Sequence, residues 1–417
     1  MKYSNDKISP SFRLKYTKVL CLKSIFFVLI SSCSFGQSIE NTFVEIDLVD
    51  PVENAIVVGA QKLDVVLPLL KNKSVGIVGN QSSLVDGVHL VDTLLHAGVK
   101  VMRVFSPEHG FRGDADAGEY ISNQQDKKTG LSIVSLYGKN KKPTVSQLAG
   151  IDVLLFDIQD VGVRFYTYIS TLHYMMEACA ENDIALIILD RPNPNGHYVD
   201  GPILELAFKS FVGMHPVPIV HGMTIAEYAQ MINGEKWLTD EVQCDLTVVS
   251  CNNYKHNRPY SLPVPPSPNL RSDISIQLYP SLCLLEATTV TVGRGTAGPF
   301  ERYGHPDFSK TEFSFTPKPG PGSKNPKHKN KLCNGFDLDK TAYKRMHQLD
   351  LSFILNAKKQ LGEKVFVNRS KFFNLLAGSD VLLQQVQSGM SADEIRATWK
   401  SGLEEFDLVR AKYLIYE

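Results

Sequence analysis

Residues 75–83, VGIVGNQSS, are the stretch that decides the fold. Five small or apolar residues form a compact candidate strand, and four polar residues end it. Short apolar runs recur along the chain at residues 99–105, 132–137, 151–156, 184–189, 246–249 and 288–292. Helical patterns separate several of these runs, at residues 89–97, 165–179 and 223–232. Short, nearly continuous apolar strands that alternate with helices predict an α/β fold with a mostly parallel sheet covered on both faces.

The C-terminal part of the chain has a different pattern. Residues 298–331 are rich in Pro, Gly and Lys, which indicates a linker or a long surface loop. From residue 336 onward the pattern is mostly helical, with amphipathic stretches at residues 340–360 and 391–406. Ser391 and Glu394 form a capping-box signature. We therefore predict a large α/β domain over residues 37–300 and a smaller α+β domain over residues 301–417 that closes one side of a crevice.

The composition indicates an ordinary globular protein. Of the 417 residues, 43% are hydrophobic and 21% are charged, which argues against a disordered or a membrane-embedded chain. The formal net charge is zero, but residues 1–36 hold six basic side chains and one acidic side chain. The remainder carries 38 basic and 43 acidic side chains, a net charge of −5. That balance argues against nucleic-acid binding, which needs a clustered excess of positive charge.

The first 36 residues read as a signal peptide. Lys15, Lys18 and Lys23 precede a short apolar stretch, SIFFVLISS, at residues 24–32. Ser34-Phe35-Gly36 is a small-x-small cleavage pattern, so we expect cleavage after Gly36, with lipidation of Cys33 as the alternative. No later run is long enough to span a bilayer. The sequence thus predicts an exported protein, periplasmic or secreted.

SPEHGFRG, residues 106–113, follows the second predicted strand. Glu108 beside His109 on a glycine-rich loop suits acid/base chemistry, and the glycines let the backbone approach a ligand closely. A solvated loop with a surface glutamate explains the same residues equally well. Ligands of open α/β sheets bind at the carboxyl ends of the strands, which makes Glu108 and His109 candidate site residues.

DIQDVGVRFYTY, residues 157–168, closes the fourth predicted strand. Asp157 and Asp160 leave the strand end together, with Arg164 and Tyr166 close behind. The two carboxylates could ligate a metal, position a sugar or pair with Arg164. Pairing is the simplest interpretation, because Asp–Arg partners are common where charge is partly buried. We expect one of the two aspartates to serve the structure.

Three further segments offer groups that suit a sugar. Asn193 and Asn195 lie in DRPNPNG after the fifth predicted strand, and Asn269 lies in PPSPNL. Asparagine amides both donate and accept hydrogen bonds, which suits hydroxyl and acetamido groups. Arg294, between two glycines, is a candidate for binding an anion, and Glu301 follows it closely. Ordinary turns explain these segments without any function.

Cofactor and metal motifs give no positive signal. The turn after the first predicted strand, at Gly76–Gly79, is too sparse in glycine for a dinucleotide-binding fingerprint. There is no P-loop, HExxH or GxSxG motif. The five cysteines after residue 36 have no zinc-site spacing, and we expect them to be buried, small apolar side chains. We predict neither a cofactor nor a metal.

Several long motifs, in order, resemble the exo-β-N-acetylmuramidase (NamZ) family of glycoside hydrolases. They are SPEHGFRG, DIQDVGVRFYTYISTL, LDRPNPNG, GPIL, HGMTIAEYA, PPSPNL, YPSLCLLE and VGRGTAGPFE, followed by FNLLAGSD and SADEIRATWKSGLEEF. The resemblance runs from about residue 75 to the C-terminus. It implies a Rossmann-like large domain, a smaller C-terminal domain and a site in the cleft between them. It also implies release of N-acetylmuramic acid from non-reducing ends of peptidoglycan fragments, in cell-wall turnover and recycling.

The resemblance also implies roles for particular residues. Glu108 matches the glutamate proposed to be catalytic in the family. Glycoside hydrolysis needs a protonated acid at the leaving oxygen and negative charge near the oxocarbenium centre, so we predict that Asp157 or Asp160 assists Glu108. The lactyl carboxylate of the sugar needs a cation, for which the candidates are Arg112, Arg164 and Arg294. The other predicted substrate-binding residues are His109, Tyr166, Asn193, Asn195, Asn269 and Glu301.

One departure from the family pattern concerns the stretch Glu-Gly-Thr-Asn, which here reads EATT at residues 286–289. Thr289 lacks an amide that could contact the sugar. Two other classes of function stay open at this point. One is a glycan-binding protein without an acid, and the other is a metal-dependent hydrolase that uses Asp157, Asp160 and His109.

Overall fold

The structure is a computed structural model, and it describes residues 54–108, 110–112, 124–138, 140–338, 345–362 and 366–417. The predicted leader at residues 1–36, with Cys33, lies outside the described residues, and so does His109. From Pro51 onward the chain forms one compact unit. The predicted division into domains after residue 300 stays a prediction.

The chain contains both parallel and antiparallel sheets. The strands are β1 (Ser74–Gly79), β2 (Leu84–Val85), β3 (Val88–His89), β4 (Lys100–Ser106), β5 (Gln124–Gln125), β6 (Ser132–Ser135), β7 (Val153–Asp157), β8 (Ala185–Leu189), β9 (Leu246–Val249), β10 (Arg302–His305), β11 (Phe313–Phe315) and β12 (Cys333–Asp337). The large sheet has the order β5-β6-β4-β1-β7-β8-β9, and all its neighbours are parallel except β5 and β6. Six parallel strands confirm the predicted sheet. A small antiparallel sheet has the order β10-β12-β11.

The helices cover the sheet and make up most of the C-terminal part. They are α1 (Leu63–Leu70), α2 (Leu90–His96), α3 (Val145–Leu148), α4 (Tyr168–Glu181), α5 (Ile225–Gly234), α6 (Asp273–Leu282), α7 (Ser352–Leu361), α8 (Ser370–Ala377), α9 (Val381–Ser388), α10 (Ala392–Ala397) and α11 (Lys400–Arg410). In the described part of the chain, no helix is both long enough and apolar enough to cross a membrane.

Both faces of the large sheet are buried, which is why its strands read as continuous apolar runs. Along β1, Ile77 packs into one apolar cluster and the adjacent Val78 packs into a second cluster. Neighbouring residues of a strand point to opposite faces, so each strand needs apolar side chains on both. The five cysteines after residue 36 are free and buried, as expected.

The C-terminal pattern was interpreted wrongly in three places. Residues 298–331 are not a linker, because they contain β10 and β11. Residues 288–292 do not form a strand of the large sheet; Thr288 and Thr291 make only isolated bridges, to Val367 and Gly304. Residues 345–351 precede α7 without being helical. The capping box at Ser391 is confirmed, since its hydroxyl accepts a hydrogen bond from the Glu394 N–H and starts α10.

Candidate active site

A cavity of about 300 Å³ opens near the carboxyl ends of β4, β6 and β7. Glu108 enters it after β4, Tyr137 after β6, and Tyr166, Thr167 and Tyr168 after β7. The other lining residues come from the C-terminal part and from connecting loops: Phe165, Phe211, Val212, Ser267, Leu270, Tyr279, Cys283, Glu286, Arg294, Phe300, Phe372 and Leu376. The cavity is lined mainly by aromatic and aliphatic side chains, with a few charged groups, the usual make-up of a small-molecule site.

Glu108 is half-buried and is held by hydroxyl groups. The Thr167 hydroxyl lies 3.4 Å from Oε2 and donates a hydrogen bond to it. Tyr137 is also hydrogen-bonded to Glu108. Burial, with the charge of Glu108 added, raises the pKa of Tyr137 to about 12, so this hydroxyl stays protonated and available as a donor. The carboxyl group is therefore oriented towards the cavity with polar support.

Tyr166 and Tyr168 form an aromatic wall whose hydroxyls are fixed. Both hydroxyls donate to the Pro266 carbonyl, at 2.8 and 3.3 Å, and Asn80 Nδ2 donates to the Tyr168 hydroxyl at 2.9 Å. The two rings meet edge to face with their centroids 4.8 Å apart, and Tyr279 packs against Tyr166 in the same way. Such packing fixes the rings and leaves a rigid wall for a ligand.

Glu286 and Arg294 form an ion pair in the cavity lining. Nε and Nη2 of Arg294 lie 2.9 and 2.7 Å from Oε2 of Glu286. The two side chains remain 21% and 24% exposed, so the pair faces the cavity instead of being sealed in the core. Arg294 also lies over the ring of Phe300, 5.0 Å from its centroid.

Lys327 fixes the backbone on which Glu286 stands. Its Nζ lies 2.7–3.1 Å from the carbonyl oxygens of Leu285, Glu286, Thr288 and Val290, which share its three N–H donors. The carbonyls of Leu285 and Glu286 lie at the end of a short 3₁₀ helix, Cys283–Ala287, whose last carbonyl groups need donors, and those of Thr288 and Val290 follow it. Burial lowers the pKa of Lys327 to about 8.

Comparison with known proteins identifies the family to which the chain belongs. Residues 75–274 match the N-terminal domain of exo-β-N-acetylmuramidase NamZ, and residues 277–416 match its C-terminal domain. The chain belongs to the NamZ family. It is 39% identical over 384 residues to the peptidoglycan β-N-acetylmuramidase NamZ of Bacillus subtilis, covering 85% of this chain and 90% of that protein.

Two solved structures from Bacteroides fragilis, both described as DUF1343 family proteins, share the fold. One superposes with a TM-score of 0.80 at 45% identity and covers 87% of this chain and 99% of its own. The other has a TM-score of 0.74 at 27% identity and covers 87% of this chain and 100% of its own. The NamZ fold therefore extends over the large sheet and the C-terminal helices alike.

Neither predicted aspartate lines the cavity of this NamZ-family chain. Asp157 is fully buried, and Arg191 holds both its oxygens, with Nε 2.6 Å from Oδ1 and Nη2 3.0 Å from Oδ2. Asp160 accepts a hydrogen bond from the Gly162 N–H at 2.6 Å, and burial raises its pKa to about 7. Both aspartates therefore lie outside the cavity lining, and their predicted catalytic role stays a prediction.

The predicted pairing of these aspartates with Arg164 is wrong. Arg164 is fully buried, and its guanidinium donates at 2.6–3.0 Å to four backbone carbonyls, those of Pro202, Val217, Leu376 and Ala377. Arg112 lies outside the cavity lining, because it forms a two-pronged ion pair with Asp126 and a longer one with Asp92. Of the three arginines predicted to bind a carboxylate, only Arg294 reaches the cavity.

The predicted asparagines and Glu301 also lie outside the cavity lining. Nδ2 of Asn193 donates to the Met223 carbonyl, and Nδ2 of Asn269 donates to the Gly322 carbonyl. Nδ2 of Asn195 donates to the carbonyls of Val161 and Ile276. Glu301 accepts from the hydroxyl of Ser272, which caps α6. These groups hold turns together, whereas Tyr166, as predicted, does line the cavity.

Sequence reasoning missed most of the lining: Tyr137, Thr167, Tyr168, Ser267, Tyr279 and Glu286. Residues 293–298, GRGTAG, have the glycine spacing of a dinucleotide fingerprint, but neither a sheet strand precedes them nor a helix follows. In the described residues, no group of three or more His, Cys, Asp or Glu side chains could hold a metal ion.

Proposed function

We propose that this chain is an exo-acting β-N-acetylmuramidase that removes N-acetylmuramic acid from the non-reducing ends of peptidoglycan fragments. The observation that carries the proposal is Glu108, a half-buried carboxyl group held by Tyr137 and Thr167 in an aromatic cavity. Membership of the NamZ family and the activity named for the Bacillus subtilis relative support it.

The cavity suits a terminal sugar. About 300 Å³ is at the small end of the range for ligand pockets, which fits one sugar ring better than a polymer running through. Glu108 acts as the general acid and protonates the leaving oxygen, and the departing remainder of the glycan extends out of the cavity. An exo mode of cleavage follows from this arrangement.

Arg294 binds the lactyl carboxylate that distinguishes N-acetylmuramic acid from N-acetylglucosamine. It is the one cationic side chain among the described residues that line the cavity. Two of its nitrogens are used by Glu286, and its Nη1 has no protein partner among the described residues. Because the chain after residue 36 is net negative, a local cation is needed to hold an anionic substrate.

The protein acts outside the cytoplasm, where peptidoglycan lies, and serves cell-wall turnover and recycling in the periplasm. The order of basic, apolar and small residues in 1–36 supports export. After cell fractionation, N-terminal sequencing of the protein should find Gln37 as the first residue, or else a lipid-modified Cys33. An intact chain beginning at Met1 and recovered from the cytoplasm alone contradicts export.

The experiment is a digest of two defined disaccharides by the purified protein, followed by mass spectrometry. One ends in N-acetylmuramic acid at its non-reducing end, and the other ends in N-acetylglucosamine. We expect free N-acetylmuramic acid from the first and little release from the second. Tight binding of the first disaccharide without release of the sugar would show a glycan-binding protein and contradict the proposal.

A further inference from the structure

Hydrolysis of a glycosidic bond by two carboxyl groups needs an acid on one side of the bond and an ionised carboxylate on the other. Asp157 is buried against Arg191, and Asp160 is buried within the loop that follows β7. Among the described residues, the carboxyl groups that line the cavity are those of Glu108 and Glu286. The cavity thus holds one pair of carboxyl groups, contributed by the large sheet and by the C-terminal part.

We propose that Glu286 is the second catalytic carboxylate, and that it removes a proton from the water that attacks the anomeric carbon. The proposal rests on the β-N-acetylmuramidase function argued above. It gives Glu286, which lines the same cavity as Glu108, the assisting role that the sequence analysis assigned to Asp157 or Asp160.

The geometry of the ion pair leaves Glu286 able to act. Both nitrogens of Arg294 bind the same oxygen, Oε2. Oε1 has no hydrogen-bond partner among the described residues, and the side chain is 21% exposed to the cavity. One oxygen of Glu286 is therefore anchored, and the other is free to accept a proton from water.

The surroundings keep Glu286 ionised. Burial raises the pKa of its carboxyl group, but the positive charges of Arg294 and Lys327 outweigh burial and hold that pKa below its ordinary value. Lys327 also fixes the backbone on both sides of Glu286 through four carbonyl groups. A fixed, ionised carboxylate is the form that a general base needs before the reaction begins.

The step balances with water as the only co-reactant. The bond between the anomeric carbon and the glycosidic oxygen breaks, its electron pair stays on that oxygen, and Glu108 gives the oxygen a proton. Water forms the new bond to the anomeric carbon and gives a proton to Oε1 of Glu286. Exchange with solvent returns Glu108 to its acid form and Glu286 to its anion. Attack from the face opposite the leaving group inverts a β-glycoside to an α-sugar.

The test uses the full-length enzyme after release of N-acetylmuramic acid has been established for the wild type, so that failure here is distinct from failure of the proposed function. Glu286→Gln keeps the size of the side chain and an oxygen for Arg294. We expect its turnover number to fall by roughly 100- to 10,000-fold, with an unchanged melting temperature. Glu177→Gln is the matched control, because Glu177 also pairs with a cation, Lys142, but does not line the cavity.

Two product analyses separate catalysis from a structural role. Glu286→Ala with sodium azide should regain turnover and form the α-glycosyl azide, since azide needs no base. Wild-type enzyme, followed by NMR, should first release the α-anomer. The proposal is overturned if Glu286→Gln keeps turnover within tenfold of wild type, if azide gives no glycosyl azide, or if the wild type releases the β-anomer first.

Discussion

Two carboxylate–arginine pairs in the molecule differ in their exposure and in the oxygen atoms that the arginine binds. Asp157 and Arg191 are 0% and 3% exposed, and each oxygen of Asp157 has its own arginine nitrogen. Glu286 and Arg294 are 21% and 24% exposed, and both arginine nitrogens share one oxygen. Both oxygens of the first carboxylate are bound in a fully buried pair, whereas Oε1 of Glu286 has no hydrogen-bond partner among the described residues and its pair lines the cavity.

A carboxylate at the end of a strand is therefore not functional by its position alone. Asp157 is the last residue of β7, at the edge of the sheet where ligands bind, yet Arg191 from the loop after β8 reaches across and closes it off. Glu286 lies outside the large sheet but is brought to the cavity by the 3₁₀ helix that Lys327 anchors.

The largest loss of stability is expected when the buried pair of Asp157 and Arg191 is broken. Arg191→Met keeps much of the side-chain volume but leaves Asp157 buried without a partner for its charge. Breaking a buried pair from one side costs about 3–5 kcal/mol of the free energy of unfolding. Urea unfolding of wild type and variant measures this cost. A loss below about 1 kcal/mol would mean that Asp157 is not sealed and would remove the contrast between the two pairs.

Asp160 offers a third case, a buried carboxyl group that pairs with no cation among the described residues. Burial raises the pKa of Asp160 to about 7, against about 3.9 in an unfolded chain. The unfolded chain therefore releases this proton at lower pH, and the wild type loses stability relative to Asp160→Asn as pH rises from about 4 to 7. Between pH 5 and pH 8 the variant should gain about 2–3 kcal/mol in free energy of unfolding relative to wild type.

The measurement is the same urea titration at both pH values. Asp190, whose pKa burial also raises to about 7, is unchanged in both proteins and cancels in the difference. A difference in stability between variant and wild type that stays constant from pH 5 to pH 8 contradicts the proposed ionisation of Asp160.

The smallest loss of stability is expected when the pair of Glu286 and Arg294, which lines the cavity, is broken. Arg294→Met should cost less than about 1 kcal/mol, because a partly exposed pair contributes little to folding. Turnover should fall with both substrates, because Arg294 also anchors Glu286, and selectivity between the two should fall as well. Losing a charged hydrogen bond worth roughly 1.5–3 kcal/mol lowers the preference for muramic acid over glucosamine substrates about ten- to a hundredfold. Specificity constants for both substrates measure this preference, and an equal loss for both shows that Arg294 does not hold the lactyl carboxylate.

The large sheet was predictable from the sequence because its strands are buried on both faces. The runs at residues 75–79, 132–137, 184–189 and 246–249 each contain or overlap an observed strand. The small sheet was missed because β10 and β11 are short and lie in a segment rich in Pro, Gly and Lys. Composition alone cannot show that Lys327 in this segment is half-buried, with its ammonium group hydrogen-bonded to backbone carbonyls.

The site was only partly predictable, for a physical reason. Glu108, Tyr166 and Arg294 were predicted and do meet in one cavity. The partners of Asp157 and Arg164 could not be predicted, because both are set by contacts between segments far apart in the chain: Arg191 lies 34 residues from Asp157, and the Ala377 carbonyl lies 213 residues from Arg164. In the sequence, a charged side chain that is buried in an ion pair near a strand end looks the same as one that faces a ligand cavity.

The measurement that tests the account most directly is the rate at which Glu108→Gln releases N-acetylmuramic acid from a disaccharide that carries this sugar at its non-reducing end. Glutamine keeps the size of Glu108 and its contacts with Thr167 and Tyr137 but has no acidic proton to give. We predict that the rate falls at least about 100-fold while the melting temperature stays that of the wild type. A folded Glu108→Gln protein that releases the sugar at the wild-type rate would contradict the account.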